Sequence, residues 1–161
     1  NKNIPAIKNC IEAICKQYGE RKVSQGNQQV EYYTFPSPEI LAQADKEDLR
    51  KLKTGYRDEY IISAAKAVYH EELDLEELKK CTHEVAVEAL KGIHGVGNKV
   101  ANCVSLYGLH HIEAFPIDIW IKRVLKEIYN DHFPVEDYQG YAGIVQQYMF
   151  YYMRHLQGAK I

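Results

Sequence analysis

Apolar positions recur at helical spacing along most of the chain. Ile7, Ile11, Ile14, Cys15 and Tyr18 fall on one stripe, with Asn3 placed to cap it and Gly19 to stop it. Residues 20–36 break the period: Gly26 and polar neighbours precede the run Val30 to Phe35, which suits a loop or a short hairpin. Ser37-Pro38 opens a short helix with proline at its first position. Asp45 with Asp48 resembles a capping box for the next helix, which ends near Thr54-Gly55. The period resumes over 57–70 through Tyr60, Ile61, Ala64, Ala65 and Val68. After the acidic run Glu71 to Glu77, a helix starts at Thr82, and its Val85, Ala86, Ala89, Leu90 and Ile93 make one buried face. A glycine-punctuated turn leads to a helix from about Asn98 to Tyr107. Pro116-Ile117-Asp118 introduces another, to about Tyr129, and Tyr138 to His155 forms the last. No internal repeat is visible, and the pattern predicts an all-α domain of many short helices.

Composition narrows the reading without naming a partner. The 161 residues are enough for one domain with a real core, since 46% are apolar in the wide sense. The charged fraction of 26% excludes wholesale disorder. The net charge of −2 speaks, by itself, against a non-specific nucleic-acid binder. No apolar run approaches 18 residues, so no membrane span is expected. Cys10, Cys15, Cys81 and Cys103 form no C-x-x-C pair, which points to reduced thiols and an intracellular setting. The His residues are scattered without metal-ligand spacing. The chain opens on Asn1-Lys2-Asn3 rather than Met, as a piece cut from a longer protein would.

The stretch Lys91-Gly92-Ile93-His94-Gly95-Val96-Gly97-Asn98-Lys99 carries the most chemistry. Two glycines flank one apolar residue between two amphipathic helices, so the backbone can approach a ligand closely. Free amides at the start of the second helix favour a phosphate. A tight interhelical turn explains the same spacing equally well. Lys99 sits in the first turn of that second helix, where the dipole disfavours an ammonium charge and so favours an amine nucleophile. Asp118 follows Pro116 at the expected N-cap of the next helix, and capping alone is its commoner use. An amine and a carboxylate together are nonetheless the pair that cleaves an N-glycosidic bond. The carboxylate stabilises an oxocarbenium-like sugar while the amine attacks the anomeric carbon.

Gly95 to Cys103, followed by Ala114-Phe115-Pro116-Ile117-Asp118, resembles the helix-hairpin-helix glycosylase superfamily, and within it the 8-oxoguanine DNA glycosylase family. Phe35-Pro36-Ser37-Pro38, Lys53-Thr54-Gly55-Tyr56-Arg57 and Tyr141-Ala142-Gly143 agree in order and spacing. The resemblance implies a multi-helix glycosylase fold and a bifunctional DNA N-glycosylase and AP lyase that removes 8-oxoguanine from double-stranded DNA. Lys99 is then the Schiff-base nucleophile and Asp118 the assisting carboxylate. Cys103 and Phe150 flank the extruded base, and Gln146 reads its hydrogen-bonding edge. Gly95, Val96, Gly97 and Asn98 approach the DNA backbone, while Tyr56 and Arg57 wedge the duplex and Asn1 contacts the orphaned cytosine. On ordinary grounds Phe150 and Tyr56 would be core residues, Cys103 a small buried hydrophobe and Arg57 a solvated helix start.

Three positions depart from the family pattern. His94 stands where proline is usual, Ala6 where an arginine often helps to recognise the opposite cytosine, and Trp120 where a histidine contacts the flanking phosphate. The resemblance implies no required cofactor and no iron–sulfur cluster, since no cysteine follows Cys103, with at most a monovalent cation at the hairpin carbonyls. It also implies a monomer, working in the cytoplasm or nucleoid of a bacterium or in a nucleus. Residues 20–110, with the hairpin at 83–108, would form a central lobe, and 1–19 with 111–161 a second. The family's N-terminal β domain is absent, so the piece alone is expected to bind and cleave poorly. Five Lys or Arg between Lys91 and Lys126 face only Glu113 and Asp118, a basic stretch set against the acidic 71–77 run. A non-catalytic helix-hairpin-helix module, or a glycosylase for another damaged base, remains the alternative.

Overall fold

The computed structural model describes residues 3–25 and 29–157, with side chains through His155. The chain divides into two compact units, Asn1–Leu73 with Ile93–Gly95 and Asp74–Gly92 with Val96–Ile161. The first helix belongs to the first unit, and the two hairpin helices belong to the second.

In the first unit, α1 (Ile4–Tyr18) starts where Asn3 Oδ1 accepts from the Ala6 amide at 2.9 Å. Its stripe is buried only at its C-terminal end: Ile14 and Cys15 are inside, whereas Ile4, Ile7 and Ile11 are exposed. Ile14 packs with Leu41, Ala42, Leu49 and Ala65, which is why α1 sits with this unit. Gly19 stops α1 through space rather than a left-handed backbone. A Cβ there would lie 1.9 Å from the Thr34 carbonyl oxygen. The expected short hairpin is present, with β1 (Arg21–Val23) antiparallel to β2 (Glu31–Tyr33) and Lys22 opposite Tyr32.

Ser37 caps α2 (Pro38–Ala42), and Asp45 caps α3 (Lys46–Lys51) through the Glu47 and Asp48 amides. The capping box is one-sided, because the Asp48 carboxylate turns to Lys51 at 2.7 Å. A 3-10 turn over Gly55–Arg57 then leads into α4 (Asp58–Tyr69). Asp58, fully buried, accepts from Arg50 Nε at 2.7 Å and from the Glu59 amide at 2.7 Å.

The second unit opens inside the acidic run. Asp74 caps α5 (Leu75–Leu78), and Glu76 and Glu77 pair one turn on with Lys79 and Lys80. Then come α6 (His83–Lys91), α7 (Asn98–Gly108), α8 (Ile119–Tyr129) and α9 (Ala142–Gln157). The last helix begins later than its periodicity suggests. Val135–Tyr138 forms a 3-10 turn, and Gly140 takes a φ of +81° that no continuous helix allows. Ile121 and Val124 of α8 pack on Met149 and Met153 of α9, with Phe115, Trp120, Phe133 and Phe150 around them. Gly143 lets α9 start hard against the preceding loop: a Cβ there would sit 2.5 Å from the Ala114 carbonyl oxygen. That contact, with the Gly143 amide on the Ile112 carbonyl at 2.8 Å, places the segment carrying Pro116 and Asp118.

Burial pushes the Asp58 carboxyl up, but the Glu59 amide and the Arg50 guanidinium outweigh it and hold the group below its ordinary range. A depressed folded value stabilises the fold above the unfolded value of about 4 and stops doing so as pH falls through the folded one. Asp58→Asn is therefore expected to lower the melting temperature near neutral pH. The gap from wild type should narrow as thermal unfolding is repeated in steps down to about pH 3.

Candidate active site

The turn between α6 and α7 requires glycine at one position. Gly95 has a φ of +86°, and a Cβ there would fall 2.2 Å from Cγ of Tyr60. The Tyr60 ring thus lies against bare backbone, with the His94 ring edge-on to it at 5.1 Å. Gly97 matters for a different reason. It caps α7 with extended backbone, no side chain accepts from the first amides, and the space where its Cβ would project is open. The positive end of α7 is therefore uncovered, as an anion site requires. Val96 is half-buried, and exposed Asn98 accepts from Asn102 Nδ2 through its carbonyl at 2.9 Å.

Lys99 is the second residue of α7 and is exposed, with Cys103 one turn beyond it and half-buried. Asp118 caps α8 as expected: its Oδ1 accepts from the Trp120 amide at 2.9 Å and the Ile121 amide at 2.8 Å. Burial pushes the Cys103 thiol up, the Lys99 ammonium pulls it down and the Asp118 carboxylate raises it again. Both charges thus act on one half-buried side chain. Neither Lys99 nor Asp118 was paired with Cys103 by anything but spacing and resemblance in the sequence.

From α9, Gln146 is 3% exposed and donates its amide to the Pro116 carbonyl at 2.9 Å, while its own carbonyl accepts from Gln147. Phe150, half-buried one turn on, flanks the α8–α9 core, with the Arg154 guanidinium 5.8 Å above its ring. Trp120 packs on the same core and carries Arg123 at 5.4 Å from its ring. Gln147 also reaches the Tyr107 hydroxyl. Tyr107 and Gln147 were not singled out by the sequence, although Tyr107 falls two turns beyond Lys99 on the same face of α7. In the first unit, Tyr56 is 65% exposed and Arg57 lies 4.5 Å over its ring. Asn1 is outside the described residues. Among the described residues no three His, Cys, Asp or Glu are grouped to hold a metal ion, and no helix is long and apolar enough to cross a membrane.

Two helices joined by a glycine turn, the second opening on an exposed lysine and the third on a capping carboxylate, define a helix-hairpin-helix protein. The sequence matches the HhH-GPD superfamily base excision DNA repair protein family over residues 1–134, and the chain belongs to that family. It is 33% identical to a probable N-glycosylase/DNA lyase of Methanothermobacter thermautotrophicus over 89% of this chain and 54% of that protein. The solved structure of MBOgg1 with a low-affinity DNA ligand superimposes with a TM-score of 0.87 at 36% identity, covering 97% of this chain and 56% of that one. The Clostridium acetobutylicum 8-oxoguanine glycosylase/lyase, bound to double-stranded DNA with cytosine opposite 8-oxoG, gives 0.85 at 32% identity, over 96% and 56%. The chain thus spans about half the length of these relatives.

Gly95→Ala is expected to destabilise the protein by about 1–3 kcal/mol, combining a left-handed alanine with the Tyr60 overlap. Gly97→Ala, with extended backbone and open space, should cost less than about 1 kcal/mol. Urea unfolding of the two variants checks the contrast.

Proposed function

We propose that this chain is the helical catalytic region of a DNA glycosylase with AP lyase activity that excises 8-oxoguanine from duplex DNA. The observation that carries the reading is Lys99, exposed in the first turn of the uncapped α7, together with the Asp118 carboxylate held at the head of α8. It is supported by the family and by relatives described as 8-oxoguanine glycosylase/lyases. The Gly95–Asn98 turn receives a backbone phosphate on the open amides of α7. The damaged nucleotide leaves the stack, and its base lies beside Cys103, with Phe150 and the Gln146 side of α9 closing the pocket. Tyr56 and Arg57 fill the gap in the duplex.

The chemistry follows from the two charges. As the bond from C1′ to the base weakens, positive charge develops on the sugar, and the Asp118 carboxylate stabilises it. Lys99 in its free-amine form donates its lone pair to C1′, the base departs with the bonding electrons and takes a proton, and the sugar ring opens to an iminium. Loss of a C2′ proton then expels the 3′ phosphate, and water returns the amine. Electrons move only among sugar, base, amine and phosphate, so the reaction needs no redox group. None of these roles calls on a second copy of the chain.

Borohydride reduction during turnover of an 8-oxoguanine duplex should trap a covalent protein–DNA adduct, and Lys99→Gln should abolish it. An undiminished adduct in that variant, or none with the intact protein, would remove the lyase assignment. Asparagine caps a helix about as well as aspartate does, so Asp118→Asn separates the carboxylate's two duties. It should keep the melting temperature while slowing excision by about a hundredfold or more. Asp118→Ala should also lose about 0.5–2 kcal/mol of stability.

A further inference from the structure

The amide of Gln146 is committed within the protein. The Pro116 carbonyl can only accept, so Nε2 must face it, and Oε1 therefore faces the Gln147 amide. Because Pro116 lies two residues before Asp118, this amide braces α9 against the segment that presents the carboxylate. The same Gln147 Nε2 contacts the Tyr107 hydroxyl at 2.5 Å. Since that nitrogen is a donor, the hydroxyl oxygen accepts from it, and the hydroxyl's own proton is directed elsewhere. The chain of bonds has one direction, and it ends on an outward proton at Tyr107.

We propose that Tyr107, held by Gln147, reads the far edge of the extruded base by donating its hydroxyl proton to a base carbonyl. This rests on the glycosylase reading above. Lys99, Cys103 and Tyr107 lie one turn apart on a single face of α7, about 6 Å per step along the helix. With the sugar at Lys99 and the base beside Cys103, the edge remote from the sugar comes to the third position. Tyr107 is 62% exposed, so its tip is accessible and is oriented by the Gln147 amide rather than by packing. Partial burial pushes the phenol above its ordinary range, the Cys103 and Asp118 charges add to this, and the Gln147 bond only partly offsets them. Tyr107 therefore stays protonated at neutral pH, a donor that suits a carbonyl oxygen and finds no partner in an exocyclic amino group. It would favour oxidised guanine over oxidised adenine.

Single-turnover excision of 8-oxoguanine and of 8-oxoadenine, each placed in the same duplex, tests this in the full-length protein and in Tyr107→Phe. Borohydride trapping on a preformed abasic duplex runs alongside. The phenylalanine variant should narrow the preference for 8-oxoguanine about tenfold, the effect of one unmet hydrogen bond. An unchanged preference, or an equal loss on both bases, would overturn the reading role and leave Tyr107 a packing residue. Wild-type protein that traps on abasic DNA but excises neither base would overturn it as well. Failure of the wild-type protein to trap at all would instead strike the glycosylase/lyase reading, and this inference would fall with it. Gln147→Leu, which removes the donor that orients the hydroxyl, should move the base preference in the same direction as Tyr107→Phe.

Discussion

One carboxylate organises the second unit. Asp118 Oδ1 accepts two amides at the head of α8, and the charge it brings is the one a helix N-terminus favours. What lies on either side is fixed by separate means. Upstream, the Pro116 carbonyl is held by Gln146. Downstream, Ile121 and Val124 are buried against α9. A short segment is thus pinned by a cap, a strut and a core, and its side chain cannot wander. The proposed chemistry needs such a fixed negative charge close to a developing cation, since a charge that must reorganise during reaction stabilises little.

Helix α7, like α4 and α6, begins without a side chain on its first amides. The starts of α1, α2, α3, α5 and α8 each have a side chain accepting from their first amides. At α7 the capping position is Gly97, which has no side chain to offer. Leaving it bare with glycine forgoes only about a few tenths of a kcal/mol of capping energy, a small cost where another oxygen is to occupy the place. The carboxylate that caps the start of α8 and the glycine that opens α7 are complementary. One stores a fixed negative charge, and the other keeps donors free for an anion.

The sequence disclosed what is local and periodic. Asn3, Ser37, Asp45 and Asp118 cap the helices their positions predict, and the 57–70 and 82–93 periods became α4 and α6, although on α6 Val85 is exposed, Val87 is buried instead and Ile93 lies past the helix end. What it concealed depends on space or on distance along the chain. Gly19 ends α1 because Thr34 comes too close, which no pattern around residue 19 encodes. Helix α5 hid inside a run of acids because its charge partners, Lys79 and Lys80, lie just past the run's end. The exposed Ile4, Ile7 and Ile11 show that an apolar stripe states what could be buried, not how much of it one unit covers. Within the site, the spacing of Lys99, Cys103 and Asp118 was legible, but the bond from Gln147 to Tyr107 joins residues 40 apart and left no local mark.

Charge and tyrosine content, unremarkable as totals, acquire meaning only by position. Much of the acid is neutralised where it stands: Glu76, Glu77 and Glu88 pair one turn away with lysines, and Asp58 with Arg50. Lys99 enters no such ion pair among the described residues, in a chain whose net charge is −2. An unpaired lysine beside open helix amides can attract phosphate without a basic surface, because the electrostatic work is done at short range by oriented donors. Tyrosine follows the same logic. Tyr60 supplies a flat face for the Gly95 backbone, and Tyr107 supplies a hydroxyl that Gln147 aims. Phenylalanine could do the first of these tasks but not the second, so the hydroxyl at residue 107 is where the residue type, rather than its bulk, has a consequence.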